Sequence, residues 1–158
     1  MIALRLVRLI EAHSESLAHG LMHKLEATPK CSDLSKVPRY EMEERCREVY
    51  QHLSDWLIRS TEVDIEREYR RIGRRRLEQG VRFSHFYWAV VIIKEHLWDS
   101  LMHEGVTETP LDLRAGFELI RLIEQFFERA IYYVALEYEQ AGELMRDDHA
   151  VMARAAQP

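Results

Sequence analysis

Eight consecutive apolar residues, Phe86 to Ile93 (FYWAVVII), lie in a stretch from Ser84 to His103 that contains neither glycine nor proline. A helix that is apolar on every side has to be surrounded by other elements. The run therefore predicts the central helix of a bundle, and any internal cavity would border it. It is far short of the ~20 apolar residues that span a bilayer. The 158 residues include only 4 Pro and 6 Gly, too little turn chemistry for many short strands. An all-α domain of about five main helices is expected, with one hydrophobic core at this length.

The first helix is expected over Ile2 to Ala27, with Leu6, Ile10, Leu17, Leu21 and Leu25 near helical spacing. Thr28 to Pro38 (TPKCSDLSKVP) reads as the one long loop. A second helix, Arg39 to Ser60, would bury Cys46, Val49, Leu53, Trp56 and Leu57. Thr61 and Asp64 then match a capping box, starting a third helix that runs to Gln79, with Gly80 at the C′ position. Ser84 is the expected N-cap of the fourth helix, which Gly105 ends. Thr109, Pro110 and Asp112 give a further start: cap, proline at N1, acid at N3.

The last helix meets no proline until Pro158. Forty-odd residues would reach roughly 65 Å, against a radius of gyration of about 15 Å for a compact domain of this length. It must break or protrude, and Gly142 is the weakest point. Residues 1–142 are accordingly expected to form the domain and 143–158 a C-terminal extension or tail. Two apolar seams run along this helix. Leu113, Phe117, Ile120, Phe127, Ile131, Val134 and Tyr138 alternate by three and four across Glu124, beside Leu119, Ile123, Phe126, Ala130 and Tyr133. One seam can face its own domain and the other a partner helix. Phe117, Ile120, Phe127, Ile131, Val134 and Tyr138 are thus the expected dimer or partner interface. The alternative is a single wide face buried within one chain.

A net charge of −5 and a pI near 5.9 make no overall electrostatic case for nucleic acid or an anionic membrane. The cluster Arg67, Arg70, Arg71, Arg74, Arg75 and Arg76 is interleaved with Glu62, Asp64, Glu66, Glu68 and Glu78, which reads as a charge-balanced helix face. Cys31 and Cys46 form no CxxC motif and read as reduced cysteines. The N-terminus lacks the regions of a signal peptide, so a cytoplasmic, soluble chain is expected.

His19 and His23 have a chelating i, i+4 spacing but no evident third ligand, so no metal site is expected. His96, after the apolar run, could serve as an axial haem ligand, and a haem- or tetrapyrrole-binding protein is the rival function. Phe86, Tyr87, Trp88 and Trp98 could line an apolar pocket, although aromatics at this spacing more often pack a core. Tyr87, Trp88, Val91 and His96 are the candidate ligand-pocket residues. No phosphate loop, nucleophile elbow or paired Glu-x-x-His motif is present, and the chain is not expected to be an enzyme.

The segment RIGRRRLEQGVRFSHFYWAVVIIKEHLWDSL at Arg71 to Leu101, followed by FFERAIYYVALEYE at Phe126 to Glu139, resembles the RsbRD-type N-terminal domain. That domain is found in RsbT co-antagonist proteins of the stressosome and in some histidine kinases. The likeness lies in Gly73 to Arg76, in the Gln79-Gly80 turn and in the aromatic-rich last helix. It implies a globin-like helical sensor of stress signal transduction that generally lacks haem. Such a module would dimerise and signal through its C-terminal helix to a kinase or a STAS-type effector. Beyond Ala141 the sequence reads GELMRDDHAVMARAAQP with no effector domain, which leaves a stand-alone member or a piece of a longer protein.

Overall fold

A computed structural model describes residues 3–103 and 109–156; Gly105 and the expected end of the fourth helix at that residue lie outside them. Six α-helices account for most of the chain: α1 (Ala3–Ala12), α2 (Ser14–Glu26), α3 (Arg39–Gln51), α4 (Glu62–Glu78), α5 (Phe83–His103) and α6 (Pro110–Ala155). No strand occurs among the described residues, as the all-α reading expects.

The single first helix is in fact two. The chain kinks at His13 (φ −104°, ψ 17°), whose imidazole Nδ1 lies 2.9 Å from the Leu9 carbonyl oxygen. Helix α1 buries Ala3, Val7 and Ile10 and α2 buries Leu17, Leu21 and Leu25. Between Ile10 and Leu17 the sequence EAHSES offers no large apolar anchor, so nothing holds one straight axis to the core.

The expected loop is a 3-10 helix over Pro29–Lys36, opened by its proline, and it buries Cys31, Asp33 and Leu34. The second predicted helix is regular only to Gln51. It ends in a π-turn over Asp55–Arg59, where the Ser60 amide reaches back to the Asp55 carbonyl at 2.8 Å.

At α4 the chain follows its capping signals closely. Asp64 N–H donates to Thr61 Oγ1 at 3.3 Å, and Thr61 N–H donates to Asp64 Oδ2 at 2.9 Å. At the other end Gly80 has φ +77°. Its amide bonds to the Leu77 carbonyl, and the Val81 amide to that of Arg76, the paired bonds of a Schellman close.

The expected cap at Ser84 is not used. Helix α5 already includes Phe83, and the Arg82 carbonyl accepts from the amides of His85 and Phe86. The Arg82 amide itself is held at 3.0 Å by Asp33 Oδ2, so a distant side chain sets the start that local sequence assigned to serine. Helix α6 does begin at Pro110, with the Leu113 amide on the Thr109 carbonyl.

Nor does α6 break at Gly142. It runs 46 residues without interruption, about 69 Å, and every described residue from Glu143 to Ala156 is exposed. Protrusion, not a break, resolves its excess length. Helix α5 is also less enclosed than its apolar run implies. Ala89 and Val90 are buried, but Tyr87 is 45% exposed, and further along the helix Val91, Lys94 and Trp98 face a groove between α5 and α6. Helix α4 packs directly against α6. A β-carbon at Gly73 would meet the Val134 Cα at 3.2 Å, so the glycine lets the two backbones approach.

Candidate functional site

Arg70 and Arg74, on either side of Gly73, form a clamp at this approach. Arg70 Nη1 donates to Glu137 Oε1 at 3.0 Å, and Arg74 Nη2 reaches Glu137 Oε2 at 3.4 Å. Glu137 is buried on the inner face of α6. Arg75 and Arg76 turn the other way, onto Glu41 of α3, and Arg76 also donates to Gln79 Oε1 at 2.7 Å. The remaining members pair along α4, Arg67 with Asp64 and Arg71 with Glu68. All six arginines of the cluster therefore meet a carboxylate.

A second set of contacts holds the α4–α5 turn. Asp33, buried in the 3-10 helix, accepts from Arg82 Nε at 2.7 Å and lies 3.2 Å from Lys36 Nζ. Lys36 also donates to the Gly80 carbonyl at 2.9 Å, and the Tyr138 hydroxyl of α6 donates to the Val81 carbonyl. One turn thus gathers the 3-10 helix, α4, α5 and α6.

Hydrogen bonds from the Arg82 side chain and amide hold the Asp33 carboxyl well below the usual carboxylate range. Burial pushes Glu41 up, but hydrogen bonds from Arg75 and Arg76 outweigh it and bring the group down to about 2. Stability held by such groups is complete above their unfolded values near 4 and is lost as pH falls toward the folded ones. Unfolding measured from about pH 6 to about pH 2 should take up as many as two protons at these sites. Asp33→Asn combined with Glu41→Gln should flatten that pH dependence; an unchanged slope would show that the two carboxylates do not carry it.

The predicted interface residues are divided between core and surface. Phe127 and Val134 are 2% and 0% exposed, inside the chain's own core. Ile131 and Tyr138 are half-buried. Phe117 is 64% exposed, and Ile120 lines the groove between α5 and α6. The four-and-three register nevertheless continues past Tyr138 through Ala141, Met145, Asp148, Met152 and Ala155. Met145 and Met152 are exposed, so one register is covered by its own bundle in the middle and open at both ends.

The predicted pocket residues are not brought together. Tyr87 faces solvent, Trp88 lies under Lys30 Nζ at 3.9 Å, and Val91 joins the α5–α6 groove. His96 packs inward against α2, with Nε2 3.0 Å from the Leu17 carbonyl and its ring against Gly20. His96 does not line the cavity that borders the apolar run. That cavity, of about 60 Å³, is bordered by Phe86, Ala89, Val90 and Ile93 of the apolar run, with Cys46 and Phe127 opposite. It does border α5, on a face that the pocket prediction did not select.

Asp33, Glu41 and Glu137 are not among the candidate residues that the sequence marks. For Glu137 a cue existed: an acid four residues after Tyr133, in the inner seam of a helix that must meet an arginine-rich one. His19 and His23 meet edge to face on the surface of α2 with centroids 5.4 Å apart, and no group of three potential ligands is found among the described residues. No described helix is long and apolar enough to cross a membrane.

The family described as the RsbT co-antagonist protein rsbRD N-terminal domain matches residues 5–152. No curated protein and no solved structure matches the chain. The family match takes in the α4 clamp, the Gly80 turn and almost all of α6, and the chain therefore belongs to the RsbRD N-terminal domain family, a regulatory signalling family and not a known catalytic one.

Proposed function

We propose that the chain is a non-catalytic input module of cytoplasmic stress signalling that acts as a homodimer and passes its state along α6 to a kinase or STAS-type effector. The observation that carries this reading is α6 itself. One uninterrupted helix packs Phe126, Phe127 and Val134 into the core and then extends well beyond the bundle. A displacement at its buried middle is therefore delivered to its free end. The open ends of its heptad register, Phe117 on one side and Met145 with Met152 on the other, suit a second copy of the same helix. The moving part in this reading is α5, which borders the internal cavity on one face and the outer groove on another. Its shift against α6 would bias two packings of the dimer.

Light scattering at high concentration should return twice the chain mass of 18.8 kDa. Met145→Lys with Met152→Lys should weaken the association at least tenfold without altering the helical circular dichroism. A strict monomer at every concentration would overturn the proposal.

A further inference from the structure

We propose that the internal cavity beside α5 is a binding site for a small neutral apolar molecule, with dioxygen or a light hydrocarbon as the chemical class. The lining is almost wholly hydrocarbon: Leu34, Ile72, Ala89, Val90, Ile93 and Phe127 are representative. Its one thiol, Cys46, is pushed up to about 12 by burial and stays uncharged at neutral pH. Arg45 and Arg76 also border the space, but their guanidinium groups are engaged by Glu48, Glu68 and Tyr69 and by Glu41 and Gln79. Among the described residues, Tyr50 Oη and His96 Nδ1 are buried without a hydrogen-bond partner, Arg47 Nε is paired with Glu15 at 2.7 Å, and none of the three residues lines the cavity.

A buried water requires two to four polar partners, and apolar cavities without them stay dry and take up apolar guests. Apart from the weak Cys46 thiol and the hydroxyl of Tyr69, which accepts from Arg45, the lining offers no polar side chain free of an ion pair, so shape and dispersion dominate what enters. At about 60 Å³ it is well below the ~150 Å³ of a cavity that accepts benzene, which restricts the guest to a few heavy atoms. Leu25, Leu34 and Met42 line both this cavity and the open cleft beneath the 3-10 helix. Their side chains are the boundary shared by the two spaces, through which a small guest can pass.

Every described helix except α1 contributes to the lining. Occupancy would therefore be felt at the contacts of α5 with its neighbours, including Phe127 of α6. The inference rests on the input-module reading for its meaning as a signal. The binding is measured on the full chain whatever its oligomeric state, so the two proposals can fail separately.

The test uses xenon as the probe, followed through the methyl resonances of Ile72, Val90 and Ile93 during a pressure titration. Saturable shifts confined to these methyls are expected, and Ala89→Leu should abolish them while leaving the circular dichroism unchanged. Should that variant not fold, Ala89→Val should weaken the binding at least severalfold. Linear, non-saturating shifts, or saturable shifts that survive the filling substitutions, would overturn the site. Benzene binding as strongly as xenon would overturn the assigned size class.

Discussion

Phe127→Asp is expected to abolish cooperative folding, whereas Phe117→Asp is expected to leave the chain folded and render it monomeric. The two residues lie along one four-and-three register, yet Phe127 is 2% exposed and Phe117 64%. The Phe127 ring packs edge-on against Phe126 with centroids 5.1 Å apart. Removing a buried phenyl group costs about 3–5 kcal/mol, and a carboxylate in its place adds the desolvation of an unpaired charge. The sum approaches the whole stability of a typical domain, about 5–15 kcal/mol. An exposed substitution such as that at Phe117 usually changes stability by no more than about 0.5 kcal/mol. Thermal melts followed by circular dichroism separate folding from association, which light scattering reads. A cooperative melt for Phe127→Asp would show that the seam is not spent in the core. A persistent dimer for Phe117→Asp would move the interface elsewhere.

This pair also marks where sequence periodicity stops being informative. The alternation of three and four located both residues on one side of α6, but a helix face does not say which neighbour covers it. The middle of the register is covered because α4 approaches there, through Gly73 and its arginines. Its ends are open because the bundle is shorter than the helix. Signals confined to a few residues were legible: the Thr61–Asp64 box, the positive φ of Gly80 and the proline start of α6 are all found as expected. Features that depend on distant partners were not. The start of α5 follows from Asp33, some fifty residues earlier in the chain. The 3-10 helix over Pro29–Lys36 is ordered by burial of Cys31 and Leu34 and by Asp33 bonding to the α4–α5 turn, none of which a loop-like composition announces. The candidate pocket residues illustrate the same limit: choosing the right helix left its cavity-facing side undetermined.

The three consecutive arginines give the second large effect, because identical side chains have different surroundings. Arg74 has a side chain 64% exposed and reaches Glu137 only at 3.4 Å, and Arg75 is 49% exposed. The Arg76 side chain is 5% exposed and joins Glu41 to Gln79. Losing one member of a buried pair typically costs 3–5 kcal/mol. Glu41 is itself 21% exposed and keeps its contact with Arg75, which places Arg76→Ala near the lower limit, at about 3 kcal/mol. Arg74→Ala should cost less than about 1 kcal/mol, as exposed pairs do, with Arg75→Ala falling between the two. Urea unfolding at neutral pH orders the series, and equal losses at all three positions would mean that the cluster acts only as a charged surface. Arg76→Lys separates charge from geometry. An ammonium restores the charge opposite Glu41 but not the planar group that reaches Glu41 and Gln79 together, so it should recover only part of the loss.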